Sequence, residues 1–258
     1  MTTPSNLGTG YVLTWETQAQ RTIPPPDWTC ECNLNVVHKD GRRQVHVYQK
    51  GTNVPVRDGS YSVRFALEKG DPVIHNGTRC ELAADYEPVG AERWYGFSIY
   101  LPGSWDYDQA AESVTQWHQY WSIGTSPPLA IVTRKGQWEI SQNWEGPHYS
   151  DTPIGPYQRS RWTDWVVHVK WSAGSAGRLT IWKDGQPVPG FNNKQGKNTY
   201  NDPQHGNYMK FGIYKWAWSQ NKPSDVVERH MYYDALRIAD QRGSYDAVKP
   251  RSSSVNTA

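Results

Sequence analysis

Three short segments of this chain set chemically active side chains at alternate positions. In Val114-Thr115-Gln116-Trp117-His118-Gln119-Tyr120-Trp121, a strand would project Gln116 and His118 from one face, roughly 6–7 Å apart. An amide beside an imidazole suits the clamping of a carboxylate; the plainer alternative is two polar residues on a half-exposed sheet. In Tyr208-Met209-Lys210-Phe211-Gly212-Ile213-Tyr214-Lys215-Trp216, one face carries Tyr208, Lys210, Gly212, Tyr214 and Trp216, while Met209, Phe211 and Ile213 form a stripe that faces a core. The first face is cationic and aromatic, with Gly212 leaving room for close approach to the backbone, unless it is an ordinary outer sheet surface. In His75-Asn76-Gly77-Thr78-Arg79-Cys80-Glu81-Leu82, Arg79 and Glu81 share a face. Arg79 is suited to bidentate capture of a carboxylate, or it pairs with Glu81 within the sheet. Asn76-Gly77-Thr78 also matches an N-glycosylation acceptor.

Such residues need strands to hold them, and the sequence supplies strands. Period-two alternation marks Trp165–Trp171, with odd positions apolar, and Tyr95, Phe97, Ile99 and Leu101 before Pro102. Leu179–Trp182 followed by Lys183-Asp184-Gly185-Gln186 reads as a hairpin. Further runs cover Val45–Tyr48, Tyr61–Glu68, Arg79–Ala83, Val114–Trp121, Tyr208–Trp216 and Tyr232–Ala239. Closely spaced strands without helical patterns predict an all-β, single-domain jelly roll of two sheets with a substrate groove. Helix is confined to a turn near Asp106–Glu112, and the loops 141–160 and 190–207 have no readable path. Residues 1–30, with Pro24-Pro25-Pro26, form a lead-in, residues 31–249 the domain, and residues 250–258 a disordered tail.

Composition narrows the chemistry. The chain has 258 residues, only 36% of them hydrophobic, yet it holds 14 Trp, 16 Tyr and 4 Phe, which excludes a disordered chain. No run is long enough to span a membrane. Trp and Tyr suit half-wet surfaces where sugar faces stack. A formal charge of +2 gives no field for nucleic acid, so an acidic ligand must be met locally. Cys30 and Cys32 are too close to pair with each other; either one of them bonds Cys80 or all three remain thiols. No zinc spacing, nucleophile elbow, phosphate loop or paired-acid strand of a sugar hydrolase occurs, and Gln137-Trp138-Glu139-Ile140 offers a single acid.

Taken together, the segments resemble the jelly-roll polysaccharide lyases. Gln116-Trp117-His118 is similar to their Gln-x-His strand, Tyr208 to Tyr214 to their Tyr-x-Lys-x-Gly-x-Tyr strand, and Arg79-Cys80-Glu81-Leu82 to their Arg-x-Glu-Leu strand. Glu92–Pro102 and Tyr232–Ile238 look most like the branch holding glucuronan lyases (polysaccharide lyase family 20) and heparin lyase I. The match runs from about Tyr61 to Ala247, and Cys80 inside the arginine strand departs from the pattern.

The resemblance implies an endo-acting lyase that cuts a 1,4-linked uronate polymer by β-elimination, with glucuronan favoured over alginate and heparin-like chains. The alternative is a non-catalytic carbohydrate-binding jelly roll. Gln116, His118 and Arg79 would neutralise the uronate carboxylate as an enolate-like state forms. Tyr214 would take the C5 proton and return one to O4, which requires the cations around it to favour its phenolate. Tyr208 shares its face, and the family pattern alone separates the two. Trp216 and Tyr208 would stack on sugar rings, and Lys210, His75 and Asn76 would bind neighbouring carboxylates or hydroxyls. No cofactor is required; a structural calcium is common in jelly-roll sugar proteins, with Asp234 a candidate ligand. The expected partner is an anionic polysaccharide, bound by a secreted monomer whose signal peptide is absent from this chain.

Overall fold

The computed structural model describes residues 13–14, 28–120, 126–145 and 148–251. In chain order its strands are β1 (Leu13–Thr14), β2 (Thr29–Glu31), β3 (Val45–Gln49), β4 (Tyr61–Glu68), β5 (Arg79–Ala83), β6 (Glu92–Leu101), β7 (Glu112–Gln119) and β8 (Leu129–Arg134). They continue with β9 (Gln137–Glu145), β10 (His148–Pro156), β11 (Arg161–Lys170), β12 (Arg178–Lys183), β13 (Gln186–Pro187), β14 (Lys194–Gln195), β15 (Asn207–Tyr214) and β16 (Glu228–Ala239). Among the described residues there are also two single-turn helices, α1 (Trp216–Ser219) and α2 (Tyr245–Val248). The expected lead-in and tail lie mostly outside the described residues, as does Trp121.

The strands form two antiparallel sheets. One runs β13-β12-β11-β6-β16-β4-β3, with β1 beside β16 and β14 beside β12; the other runs β10-β9-β8-β7-β15-β5-β2. The alternation read from the sequence produces the core between them. Tyr95, Phe97, Ile99 and Leu101 are fully buried, as are Trp165, Val167 and Val169 from the neighbouring strand. From the second sheet, Met209, Phe211 and Ile213 meet them, with Phe211 stacked on Tyr233 at 4.6 Å. Much of the aromatic content serves this core rather than a sugar surface. Trp105, Trp117, Trp138, Trp165 and Trp171 are all at most 1% exposed.

Several local expectations change. Asp106–Glu112 forms no helix; it leads into β7 at Glu112, and α1 begins directly after β15, so Trp216 lies off the strand. The segment 141–160, expected as a loop, carries the end of β9 and all of β10. Pro153 and Pro156 hide β10 from a strand pattern, but β10 is the sheet edge, where a missing ladder donor is tolerated. The Asp184-Gly185 turn has positive φ at both positions (49° and 79°), as the hairpin signal required.

Cys32 and Cys80 form a disulfide, leaving Cys30 as a half-buried thiol among the described residues. Its loop spans 48 positions and contains β3 and β4 of the opposite sheet. Chain-entropy arithmetic for a loop of this size gives about 4 kcal/mol. The Cys32→Ser/Cys80→Ser double variant is therefore expected to lose up to that amount in urea unfolding, with a larger m because the unfolded chain without its crosslink exposes more surface. An unchanged midpoint would contradict a stabilising crosslink.

Candidate active site

The outward face of the seven-stranded sheet carries a groove of about 630 Å³, into which Gln116, Tyr214 and Trp216 all project. Strand pairing explains why the three segments meet. β15 lies between β7 and β5, so Lys210 stands opposite Gln116 and Ala83, Tyr208 opposite His118, and Tyr214 opposite Arg79. Period-two geometry then turns all these side chains to the same face.

At the centre is a buried charge cluster. Lys210, 2% exposed, holds Glu31 at 2.8 Å. The Arg79 Nη1 lies 3.3 Å from Glu31 and 3.2 Å from Glu81, and the Gln116 Nε2 donates to Glu81 at 2.5 Å. Arg79 and Glu81 are thus the sheet pair that the sequence allowed, and Arg79 is also held by the carbonyls of Ile74 and His75. Burial pushes Glu81 towards its neutral form against the pull of Lys210 and Arg79. Glu31 is also opposed by burial, but Lys210, Arg79 and His75 together hold it below the usual carboxylate range. Two cations, Arg79 and Lys210, thus lie with two carboxylates, Glu31 and Glu81, beneath the floor. Glu31 was not singled out in the sequence; its only signal is that a three-residue edge strand pairs it with Glu81.

His118, on β7 opposite Tyr208, and Tyr214, at the end of β15, flank this cluster. The His118 Nδ1–H donates to the Gln119 carbonyl at 2.6 Å, which fixes the tautomer and leaves Nε2 with its lone pair. Burial, with Lys210 and Arg79 nearby, lowers its pKa to about 4. His118 is therefore an acceptor at neutral pH, not the carboxylate donor expected from sequence. An NMR titration should place its midpoint near pH 4; a midpoint near 6.5 would show a solvated ring. The Tyr208 ring packs against it, tilted, at 5.6 Å, with Tyr86 tilted against Tyr208 at 4.5 Å, and burial pushes the Tyr208 hydroxyl well above its ordinary range. Tyr86 and the stacked pair Tyr120–His205 at 3.8 Å were not foreseen either.

Tyr214 lies with its ring 3.9 Å from the Arg79 guanidinium and 5.4 Å from Trp216. Burial raises its pKa more than Arg79 lowers it, so the resting phenol keeps its proton and the expected phenolate is not favoured. The Ile74–Gly77 turn fits this ring. His75 and Asn76 take positive φ (45° and 62°), and a Cβ on Gly77 would come within 2.3 Å of Tyr214. At Gly212 the close backbone approach read from the sequence is made by β5. At φ 138° beside a register shift in β15, this glycine packs so closely on β5 that a Cβ would meet the Cys80 carbonyl at 2.2 Å. Its absent side chain permits the bulge that redirects Tyr214.

The expected binding residues divide. His75 is 70% exposed and 3.5 Å from Glu31, and Asn76 is exposed at the turn tip. Tyr208 and Trp216 are half-buried, with Trp216 packed on Ala111, Ala130 and Val132, whereas Lys210 lies under the floor. The Asp234 carboxylate accepts from the amides of Arg57, Asp58 and Ala235, and burial raises its pKa to about 7. Among the described residues no group of three or more His, Cys, Asp or Glu side chains is arranged to hold a metal, and no helix is long and apolar enough to cross a membrane.

A two-sheet jelly roll with a polar groove across one sheet, and an imidazole and a phenol flanking buried cations, defines a jelly-roll carbohydrate-active protein. Its sequence matches the family model described as "Polysaccharide lyase" over residues 33–237, and the chain belongs to that family of jelly-roll polysaccharide lyases. Among solved structures it is similar to the endo-β-1,4-glucuronan lyase of the fungus Trichoderma reesei, at 17% identity and a TM-score of 0.65, covering 88% of this chain and 98% of that one. It is also similar to alginate lyase A1-II′ of polysaccharide lyase family 7 (14% identity, TM-score 0.55, 83% and 94% covered) and to alginate lyase Aly36B (16%, 0.52, 78% and 98%). No curated protein matches the sequence.

Proposed function

We propose that this lyase cleaves a 1,4-linked uronic-acid polymer, glucuronan foremost, at internal linkages by β-elimination. The observation that carries this reading is the placement of Arg79, Gln116, His118, Lys210 and Tyr214 on one face of the seven-stranded sheet, with Gln116 and Tyr214 lining the open groove, His118 held as an acceptor and Tyr214 keeping its proton. A uronate carboxylate held by Gln116 and Arg79 makes its C5 proton removable, because charge that develops on the enolate-like state is stabilised without reorganisation. The His118 Nε2 takes that proton as the C5–H bond breaks. Its electrons form the C4–C5 double bond, the C4–O4 bond opens, and Tyr214 gives its hydroxyl proton to O4. Loss of the His118 proton to solvent and uptake of one by Tyr214 restore the site. The glucuronan preference is supported by the fold shared with the Trichoderma reesei enzyme. The Cys32–Cys80 disulfide supports an extracellular setting.

The test is ultraviolet absorbance during incubation with glucuronan, mannuronate-rich alginate, guluronate-rich alginate and heparin. Only elimination creates the conjugated 4,5-unsaturated uronate, so a rise ranks the polymers, and no rise with any of them would overturn the reading. One observation favours a second assignment of the protons: in glucuronate the C5 proton and O4 lie on the same side of the ring, within reach of one side chain. The pH profile separates the two. With His118 as base, kcat reaches a plateau above the acid range; with Tyr214 performing both transfers, kcat climbs into the alkaline range, because its hydroxyl must first ionise.

A further inference from the structure

Beyond Gln116, the groove changes character. Strand pairing sets Gln116, Ala130, Ser141 and Asp151 in one transverse row across β7, β8, β9 and β10. At the usual strand spacing the row runs roughly 14 Å from Gln116 to Asp151. Its middle is small and shallow: Ala130 and Val132 form an apolar bed against which Trp216 packs. Its far end is charged. The Arg134 guanidinium meets Glu139 through two nitrogen–oxygen contacts, Nε to Oε1 at 3.1 Å and Nη2 to Oε2 at 2.6 Å, and the same Nη2 lies 3.1 Å from Asp151. Glu139 is buried at 4%, whereas the Asp151 side chain stays 21% exposed and lines the groove with Arg134 and Ser141.

One guanidinium against two carboxylates leaves this end formally negative. It contrasts with the catalytic end, where two cations, Arg79 and Lys210, match two carboxylates, Glu31 and Glu81. A second uronate carboxylate placed here would face Asp151 across a groove and be repelled. A sugar hydroxyl would instead find a charged acceptor in Asp151, a further partner in the Ser141 hydroxyl, and an apolar bed for its ring.

We propose that Asp151, fixed by Arg134 and Glu139, forms a remote subsite that binds the hydroxyl edge of a pyranose while that sugar's carboxylate points away. This rests on the uronate-polymer reading and specifies how a second sugar of that polymer is held. The subsite distinguishes free from O-acylated sugars, because an ester at the recognised hydroxyl removes the proton that Asp151 accepts.

The experiment compares wild type with Asp151→Asn on the polymer that gives the strongest unsaturated-uronate signal. In parallel, calorimetric titration of an oligouronide and its O-acetylated form gives affinities independent of turnover. Loss of a charge-assisted hydrogen bond predicts about a tenfold rise in KM and Kd for Asp151→Asn, with kcat within twofold. Wild type should prefer the unacetylated oligomer by a similar factor, and Asp151→Asn should not. Unchanged or lower KM and Kd in Asp151→Asn would overturn the hydroxyl subsite, since relief of repulsion marks a carboxylate position. Should Asp151→Asn fold poorly, the acetylation preference of wild type decides alone, and equal affinity for both oligomers overturns the subsite. Absence of unsaturated product from wild type on every polymer would instead count against the elimination chemistry, while the calorimetric comparison still decides the subsite.

Discussion

Tyr214→Phe is expected to lower kcat by two to four orders of magnitude while leaving polymer affinity within a few-fold, the usual range for loss of a positioned proton donor. The substitution removes one oxygen from a ring whose place is set by the Arg79 guanidinium, by Trp216 and by the space that Gly77 leaves. The hydroxyl also hydrogen-bonds Arg79, but the ring contacts with the guanidinium and Trp216 and the fit against Gly77 do not need it, so the groove should keep its shape. In the proposed reaction, however, O4 then departs as an unprotonated alkoxide, which is a poor leaving group. Single-turnover absorbance and a binding titration on the same preparation measure the two quantities separately. Near wild-type turnover would remove Tyr214 from the proton path and direct attention to Tyr208 beside His118.

Lys215→Met should destabilise the fold by about 3–5 kcal/mol, the range for breaking a buried ion pair on one side. For a chain of this size that lowers Tm by roughly 10 °C. Lys215 is fully buried one residue after Tyr214; its Nζ lies 2.7 Å from Asp108, touches Glu112 and donates to the Ala110 carbonyl at 2.9 Å. Arg229 shares the same acids, with Nε 3.2 Å from Glu112, and packs over Trp105 at 4.6 Å. Methionine fills the volume but leaves two carboxylates to one arginine. Because Ala110 and Ala111 also wall the groove, the loss should extend to activity below the melting range. A calorimetric Tm within 2 °C of wild type would show that the network relaxes without cost.

What the sequence made legible follows from periodicity. Strands with one face in the core and one in the groove, such as β7 and β15, announce themselves through alternation, and the same alternation gathers Gln116, His118, Lys210 and Tyr214 on one face. Register then decides which of them meet, and a one-residue signal cannot give it. Hence Glu31 went unnoticed although it bridges Lys210 and Arg79: β2 is only three residues long, and its partner is found 48 or more residues later. The edge strand β10 was obscured by its prolines. Ionisation states were beyond reach for the same reason. Tyr214 and His118 are both shifted first of all by burial, which composition does not record.

The Cys32–Cys80 link has a consequence for how the molecule matures. The chain leaves the seven-stranded sheet after its edge strand β2, builds β3 and β4 at the edge of the other sheet, and returns to β5. Oxidation therefore clasps one open flank of the sandwich, and it does so with Glu31 immediately before one cysteine and Arg79 immediately before the other. Molecules that fold before this clasp closes would share the core yet hold their acidic counterweight to Lys210 and Arg79 only through a frayed three-residue edge. Specific activity would then record the redox history of a preparation, and two samples identical by mass apart from two hydrogens would differ as catalysts.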